Sequence, residues 1–205
     1  MELYCYREHA LLQIHYTDIY NSCSGTILSF ADDTTIYSSN SNLSQLYHDA
    51  NIQINKLFDW FCTNKLSLNA GKTNYIIIRP KHMRCDLTGH DIFIQNTKLN
   101  RIGNDCDVKA VKFLGIYIDE NLTWKYHLSN INNKISNALF AIKQVKQVLP
   151  YNCLETLYYS LIHYHLSYGI LAWGNAAQSI LHRTIILQKR ALRIIHNAKF
   201  NSYTY

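Results

Sequence analysis

The chain changes character near residue 121, and this change limits its possible folds more than any other feature. Upstream, short apolar runs alternate with one long stretch of helical spacing. Downstream, apolar residues recur at helical spacing almost without interruption. Charge shifts at the same place. Residues 1–120 hold eleven lysines and arginines against thirteen acids, whereas residues 121–205 hold nine against the single Glu155. Two independent signals therefore divide the chain into an α+β part and an all-α part. A basic half beside a mildly acidic one suits a polyanion partner on the basic side. A solvated basic surface with no partner gives the same count.

In the first part, Leu43, Leu46, Tyr47, Ala50, Ile54, Leu57, Phe58 and Phe61 predict an amphipathic helix over about 43–63. Asn42 with Gln45 forms a capping-box variant at its start, and Gly71 is the turn residue beyond its end. Tyr75–Arg79 reads as a short buried strand stopped by Pro80. Residues 81–110 read as loops around a strand or two, and Val111–Asp119 as one strand with Gly115 at its centre. The second part reads as helices. One runs from Leu128 to Leu149 and is stopped by Pro150. Another is marked by Leu154, Leu157, Tyr158, Leu161 and Ile162, and a last by Ile180, Leu181, Ile185, Ala191, Leu192 and Ile195. "YGILAWGNA", residues 168–176, makes an apolar corner between them.

The composition is that of a globular chain: 205 residues, 48% hydrophobic, 17% charged and two prolines leave room for a real core. The start has no apolar signal segment, and no run of about 18 apolar residues occurs. The reading is an intracellular protein of nucleus or cytoplasm, with no membrane partner. The six cysteines are scattered without a C-x-x-C, so neither a zinc site nor a disulfide framework is indicated. The ten histidines have no metal-ligand spacing.

"SFADDTTIY", Ser29–Tyr37, sets two adjacent carboxylates between apolar runs. Side chains alternate across a strand, so Asp32 and Asp33 face one side only where the chain reverses. Asp-Asp is a poor choice for such a turn, which prefers Asn-Gly or Asp-Gly. A divalent cation would offset the repulsion, and a plain surface turn is the alternative on these residues alone.

The order of motifs resembles the reverse transcriptases of non-long-terminal-repeat (LINE-type) retrotransposons. "FADDTTIY" is similar to that family's catalytic hairpin. "WFCTNKLSLNAGKT" (Trp60–Thr73) matches W-x-x-x-N-x-L-x-L-N-x-x-K-T at every fixed position. "KFLGIYIDENLTWKYHL" (Lys112–Leu128) resembles the F-L-G hairpin and its D-x-x-L-x-W-x-x-H continuation, and "LYYSLIHYHLSYGILAWG" with "LQKRALRII" the helical thumb. The resemblance runs in order from about Ile27 to Ile195. It implies a partial polymerase palm of short hairpins packed with a helix over residues 27–120, a thumb-like region over 121–205, and a truncated lead-in over 1–26.

The resemblance also implies chemistry. Polymerases place two divalent ions about 3.5–4 Å apart on an in-line phosphoryl transfer. Asp32 and Asp33 would hold Mg2+, a hard ion that takes carboxylates and phosphates. Lys72 would donate a proton to the departing pyrophosphate, a role an ordinary lysine fills only when held against the leaving group. A solvated lysine after a helix end is the alternative. Phe113, Leu114 and Gly115 would brace the primer end, although Gly115 also suits a strand kink. Trp60, Trp124 and Trp173 read as packing residues, with base stacking the lesser option. The partners implied are an RNA template, a DNA primer or an RNA–DNA hybrid, and deoxynucleoside triphosphates.

Two features qualify the activity. The family's third aspartate and its P-Q-G-S stretch come upstream of the hairpin, and neither is found here. Asp18 reads as a loop residue and not as the missing ligand. The expected function is therefore a fragment of an RNA-directed DNA polymerase, or a non-catalytic remnant that only binds nucleic acid. For either, the last helix matters most. Plotted at about 100° per residue, it sets Leu181, Ile185, Leu187, Ala191, Leu192, Ile194 and Ile195 on one half. Arg183, Lys189, Arg190 and Arg193, with His182 and His196, lie on the other and have no acid among them. An unmixed cationic stripe suits a phosphate backbone. Pairing of these cations with carboxylates elsewhere is the alternative.

Overall fold

The computed structural model describes residues 2–6 (backbone only), 19–20, 25–30, 33–83 and 86–199. It divides into two compact units, residues 1–113 with 119–122, and residues 114–118 with 123–205. Sheet and helix both occur, as expected of an α+β chain.

The first unit is organised by a sheet. Strands β1 (Glu2–Tyr6), β2 (Thr26–Phe30) and β3 (Asp33–Ser39) precede helix α1 (Leu43–Thr63). Strand β4 (Asn74–Ile78), a small hairpin of β5 (Phe93–Ile94) and β6 (Thr97–Lys98), and β7 (Asn100–Ile102) follow. The sheet order is β2-β3-β1-β4-β7. β1 is antiparallel to both β3 and β4, and β4 is parallel to β7. The sequence assigns no element to Glu2–Tyr6, yet this segment takes the central place in the sheet.

Alternate residues of the sheet, Ile27, Ile36, Tyr75 and Ile77, join Leu46, Tyr47, Ala50, Ile54, Leu57 and Phe61 of α1 in one core. Burial of each such aliphatic or aromatic side chain contributes about 1.5–3 kcal/mol. α1 begins where its cap predicts: the Asn42 side chain accepts from Gln45 N at 3.2 Å. Only half of the capping box forms. The Gln45 amide donates to Asp49 at 2.8 Å, and Asn42 N donates to Asn40 Oδ1 at 3.0 Å. Farther along α1, Asn51 and Asn55 act as a surrogate strand edge. Asn51 donates to Asp91 O (3.0 Å) and accepts from Phe93 N (2.9 Å), while Asn55 donates to Phe93 O and accepts from Gln95 N, both at 3.1 Å.

Val111–Asp119 is not one strand. It forms β8 (Ala110–Phe113) and β9 (Ile116–Asp119), paired with each other, where the chain passes from one unit to the other. Leu114 and Gly115, at φ 45° and 84°, reverse it, as a two-residue hairpin requires of both central residues.

The second unit is helical: α2 (Lys125–Val145), α3 (Tyr151–Tyr158), α4 (Tyr164–Ser167), α5 (Ile170–Trp173) and α6 (Gln178–Ile195). A π turn, Tyr159–His163, continues α3 into α4. Its wider winding keeps Leu154, Tyr158, Ile162 and Leu166 in the core at intervals of four, and turns Leu161 to solvent. Leu161 is thus not a core residue as its spacing suggests. In α6 the buried face is Thr184, Leu187, Ala191 and Ile195. Ile185, expected inside, is exposed, as is its neighbour Ile186. The buried stripe is narrower than half the helix, and both isoleucines fall outside it.

Candidate functional site

The acidic hairpin is built from β2 and β3. Phe30 pairs with Asp33 and Ser29 with Thr34, so only Ala31 and Asp32 separate the strands. Asp33 is therefore the first ladder residue of β3 and not the second turn residue that the sequence leads one to expect; the register, once closed at Phe30, leaves it no place in the turn. Asp32 and Asp18 lie outside the described residues. Asp33 is half-buried. Thr34 and Ile36 line a small hollow with Ile54, Leu57, Phe61, Leu68 and Thr73. Strand alternation turns Asp33 and Thr35 to the opposite face of the sheet.

Lys72 ends a short 3-10 turn, Ala70–Lys72, capped by Asn69, whose side chain accepts from Lys72 N at 3.3 Å. Its side chain is exposed. Ile36 of β3 and Tyr75 of β4 both pair with Cys5, from either side of β1. β3 and β4 therefore run the same way, and Asp33 and Lys72 each stand three positions upstream of that pair. They lie toward one end of the sheet, Asp33 as the first residue of β3 and Lys72 two residues before β4. Among the described residues no three histidines, cysteines or acids gather as a metal-binding group.

Of the expected bracing residues, Phe113 and Leu114 are half-buried and Gly115 is exposed. The Leu114–Ile118 segment has partners that sequence reasoning did not foresee. The Tyr168 hydroxyl donates to Leu114 O at 2.5 Å, and Tyr117 N donates to His127 Nδ1 at 3.4 Å. His127 is buried, and burial, reinforced by Lys134, lowers its pKa below the ordinary 6.5. Trp173, in the core of the helical unit, donates its indole N–H to Tyr168 O at 2.9 Å. Trp124 packs against the same core, and Trp60 against that of the first unit.

On α6, Arg183, Lys189 and Arg190 are exposed and Arg193 is half-buried. No acid occurs on the helix, and His182 and His196 add to the same side. The basic stripe is thus three exposed cations with Ile186, also exposed, standing among them. No described helix is long and apolar enough to cross a membrane.

The chain is thus a mixed unit carrying an acidic hairpin, followed by a basic helical unit. No protein-family model matches it, and neither does any solved structure. It is 34% identical over 94 residues, 44% of this chain and 10% of the relative, to the RNA-directed DNA polymerase from mobile element jockey of Drosophila melanogaster. It is 23% identical over 200 residues, 94% of this chain and 20% of the relative, to the probable RNA-directed DNA polymerase from transposon X-element of the same organism. The chain therefore spans between a tenth and a fifth of the length of these relatives. The relatives bear out the resemblance read from the motifs.

Proposed function

We propose that this chain is the C-terminal palm and thumb portion of a retrotransposon RNA-directed DNA polymerase, and that by itself it grips an RNA–DNA hybrid. The observation that carries this reading is the similarity to the X-element protein along 94% of the chain. The two units then take the roles of palm and thumb. Asp32 and Asp33 are hard oxygen donors of the kind magnesium takes, adjacent in the sequence, with Asp33 opening β3. Magnesium bound there supplies charge stabilisation for the attacking and leaving oxygens. Lys72, exposed at the same end of the sheet as Asp33, is available to a leaving pyrophosphate. Phe113, Leu114 and Gly115 brace the primer end, and Arg183, Lys189, Arg190 and Arg193 meet the phosphate backbone.

Polymerisation in this family draws on a third aspartate upstream of the hairpin, which the sequence of this chain does not supply. Deoxynucleoside triphosphates are accordingly substrates of the larger enzyme. The test is RNA-templated primer extension with Mg2+, run beside hybrid binding, for the chain and for its Asp32→Asn/Asp33→Asn variant. Both should bind and neither should extend. Extension that depends on the aspartates would make the chain a polymerase in its own right. Absence of binding by either would contradict the reading.

A further inference from the structure

We propose that Tyr168 is a positioning residue, through which the helical unit holds the Leu114–Gly115 turn in the shape that meets a primer terminus. The inference rests on the reading of that turn as the primer brace. The turn does not hold itself. Leu114 sits at φ 45°, a left-handed conformation unfavourable for a residue with a Cβ, and Leu-Gly lacks the Asn or Asp that eases such a turn. The compensation comes from 54 residues away, where the Tyr168 hydroxyl donates to Leu114 O at 2.5 Å. The Tyr168 ring also lies beside Gly115, where a Cβ would stand 3.5 Å from the ring edge.

Tyr168 is itself fixed. Trp173, 3% exposed, donates to the Tyr168 carbonyl at 2.9 Å. The next residue, Gly169, has φ 63° and approaches the hairpin so closely that a Cβ would come within 2.5 Å of Ile116 Cδ1. Tyr117 N, bonded to His127 Nδ1, ties the following strand to α2. These contacts explain why residues 114–118 belong to the helical unit although the chain on both sides of them does not. Gly115 stays exposed, so the outer surface of the turn is open to a ligand. The tip that meets the primer is thereby shaped by the same unit that carries the basic helix.

The test uses the full chain and two RNA–DNA hybrids, one with 2-aminopurine at the primer 3′ terminus and one with it in mid-duplex. Tyr168→Phe should leave hybrid affinity and the mid-duplex signal unchanged and lose most of the response of the terminal probe. Amides of Gly115–Ile118 should exchange about five- to tenfold faster in the free variant, as expected for loss of one neutral hydrogen bond. Gly115→Val, which keeps the hydroxyl but strains the backbone of the turn at φ 84°, should lose the same terminal response. Terminal response and exchange both unchanged in Tyr168→Phe would overturn this proposal and leave the proposed function standing. Failure of the unaltered chain to bind either hybrid would overturn both.

Discussion

Glu120 is buried to the degree of the core residues around it, and its neighbours account for that. One carboxylate oxygen accepts from Arg79 Nε at 3.0 Å and Nη2 at 2.6 Å, and the other accepts from Asn104 N at 2.9 Å. Asn121 donates to the carbonyl of Arg79 at 3.1 Å, closing a loop of bonds around the pair. Gly103 has no space for a side chain, since a Cβ would stand 2.6 Å from Glu120 Oε2. Removing one partner of a buried ion pair leaves the other charge uncompensated, at about 3–5 kcal/mol. Glu120→Ala should therefore lower stability in urea unfolding by about 3 kcal/mol, and adding Arg79→Ala should cost less than the sum of the two. His127 gives a pH dependence. Its folded pKa is depressed by burial and Lys134, so the unfolded chain binds the extra proton first. His127 then contributes stability above its ordinary 6.5 that is lost as pH falls below that value. Thermal melts from pH 7.5 down to about 5 should show a falling midpoint, and His127→Gln should flatten that fall.

Elements whose own side chains carry the pattern were legible in the sequence; those held by distant side chains were not. α1 and α2 bury residues at ordinary helical spacing, and Asn42 caps where it should. The β5–β6 hairpin shows no period because Asn51 and Asn55 of α1, some 40 positions earlier, satisfy its backbone. From its apolar run alone the reversal at Leu114 reads as continuous strand, and only the motif resemblance points to a hairpin there, because its support is Tyr168. Asp33 and Lys72 are each legible as residues, but their shared end of the sheet depends on β1, which lies between their strands and carries no signal. Packing of α2 on α6 offers a test at this scale. Thr184 donates to Asn132 Oδ1 at 2.8 Å, with both residues buried. Thr184→Val leaves the Asn132 amide oxygen without this donor and should cost about 1–3 kcal/mol. Asn132→Leu added to Thr184→Val should recover part of the loss, because an apolar pair leaves nothing unsatisfied. A double-mutant cycle by chemical denaturation measures both.

The molecule as a whole separates its charges by unit, nine lysines and arginines standing against the single Glu155 from residue 121 onward. Arg183 and Arg190 are seven positions apart, two helical turns along one stripe of α6, and both are exposed. Arg193 is half-buried, so less of it is open to a ligand than the sequence alone suggests. Such a stripe binds backbone and not bases, so every hybrid sequence should be held alike. Each phosphate contact contributes about 0.7–0.9 to the slope of log affinity against log salt. The decisive measurement is RNA–DNA hybrid binding by the full chain at several salt concentrations, with Arg183→Ala/Arg190→Ala and, as a control in the first unit, Lys81→Ala. The account predicts a salt slope that the double variant flattens by about one to two contacts, with affinity weakened for all sequences equally and the control unchanged. Slope and affinity that do not change in the double variant, or a chain that does not bind the hybrid at all, would contradict it.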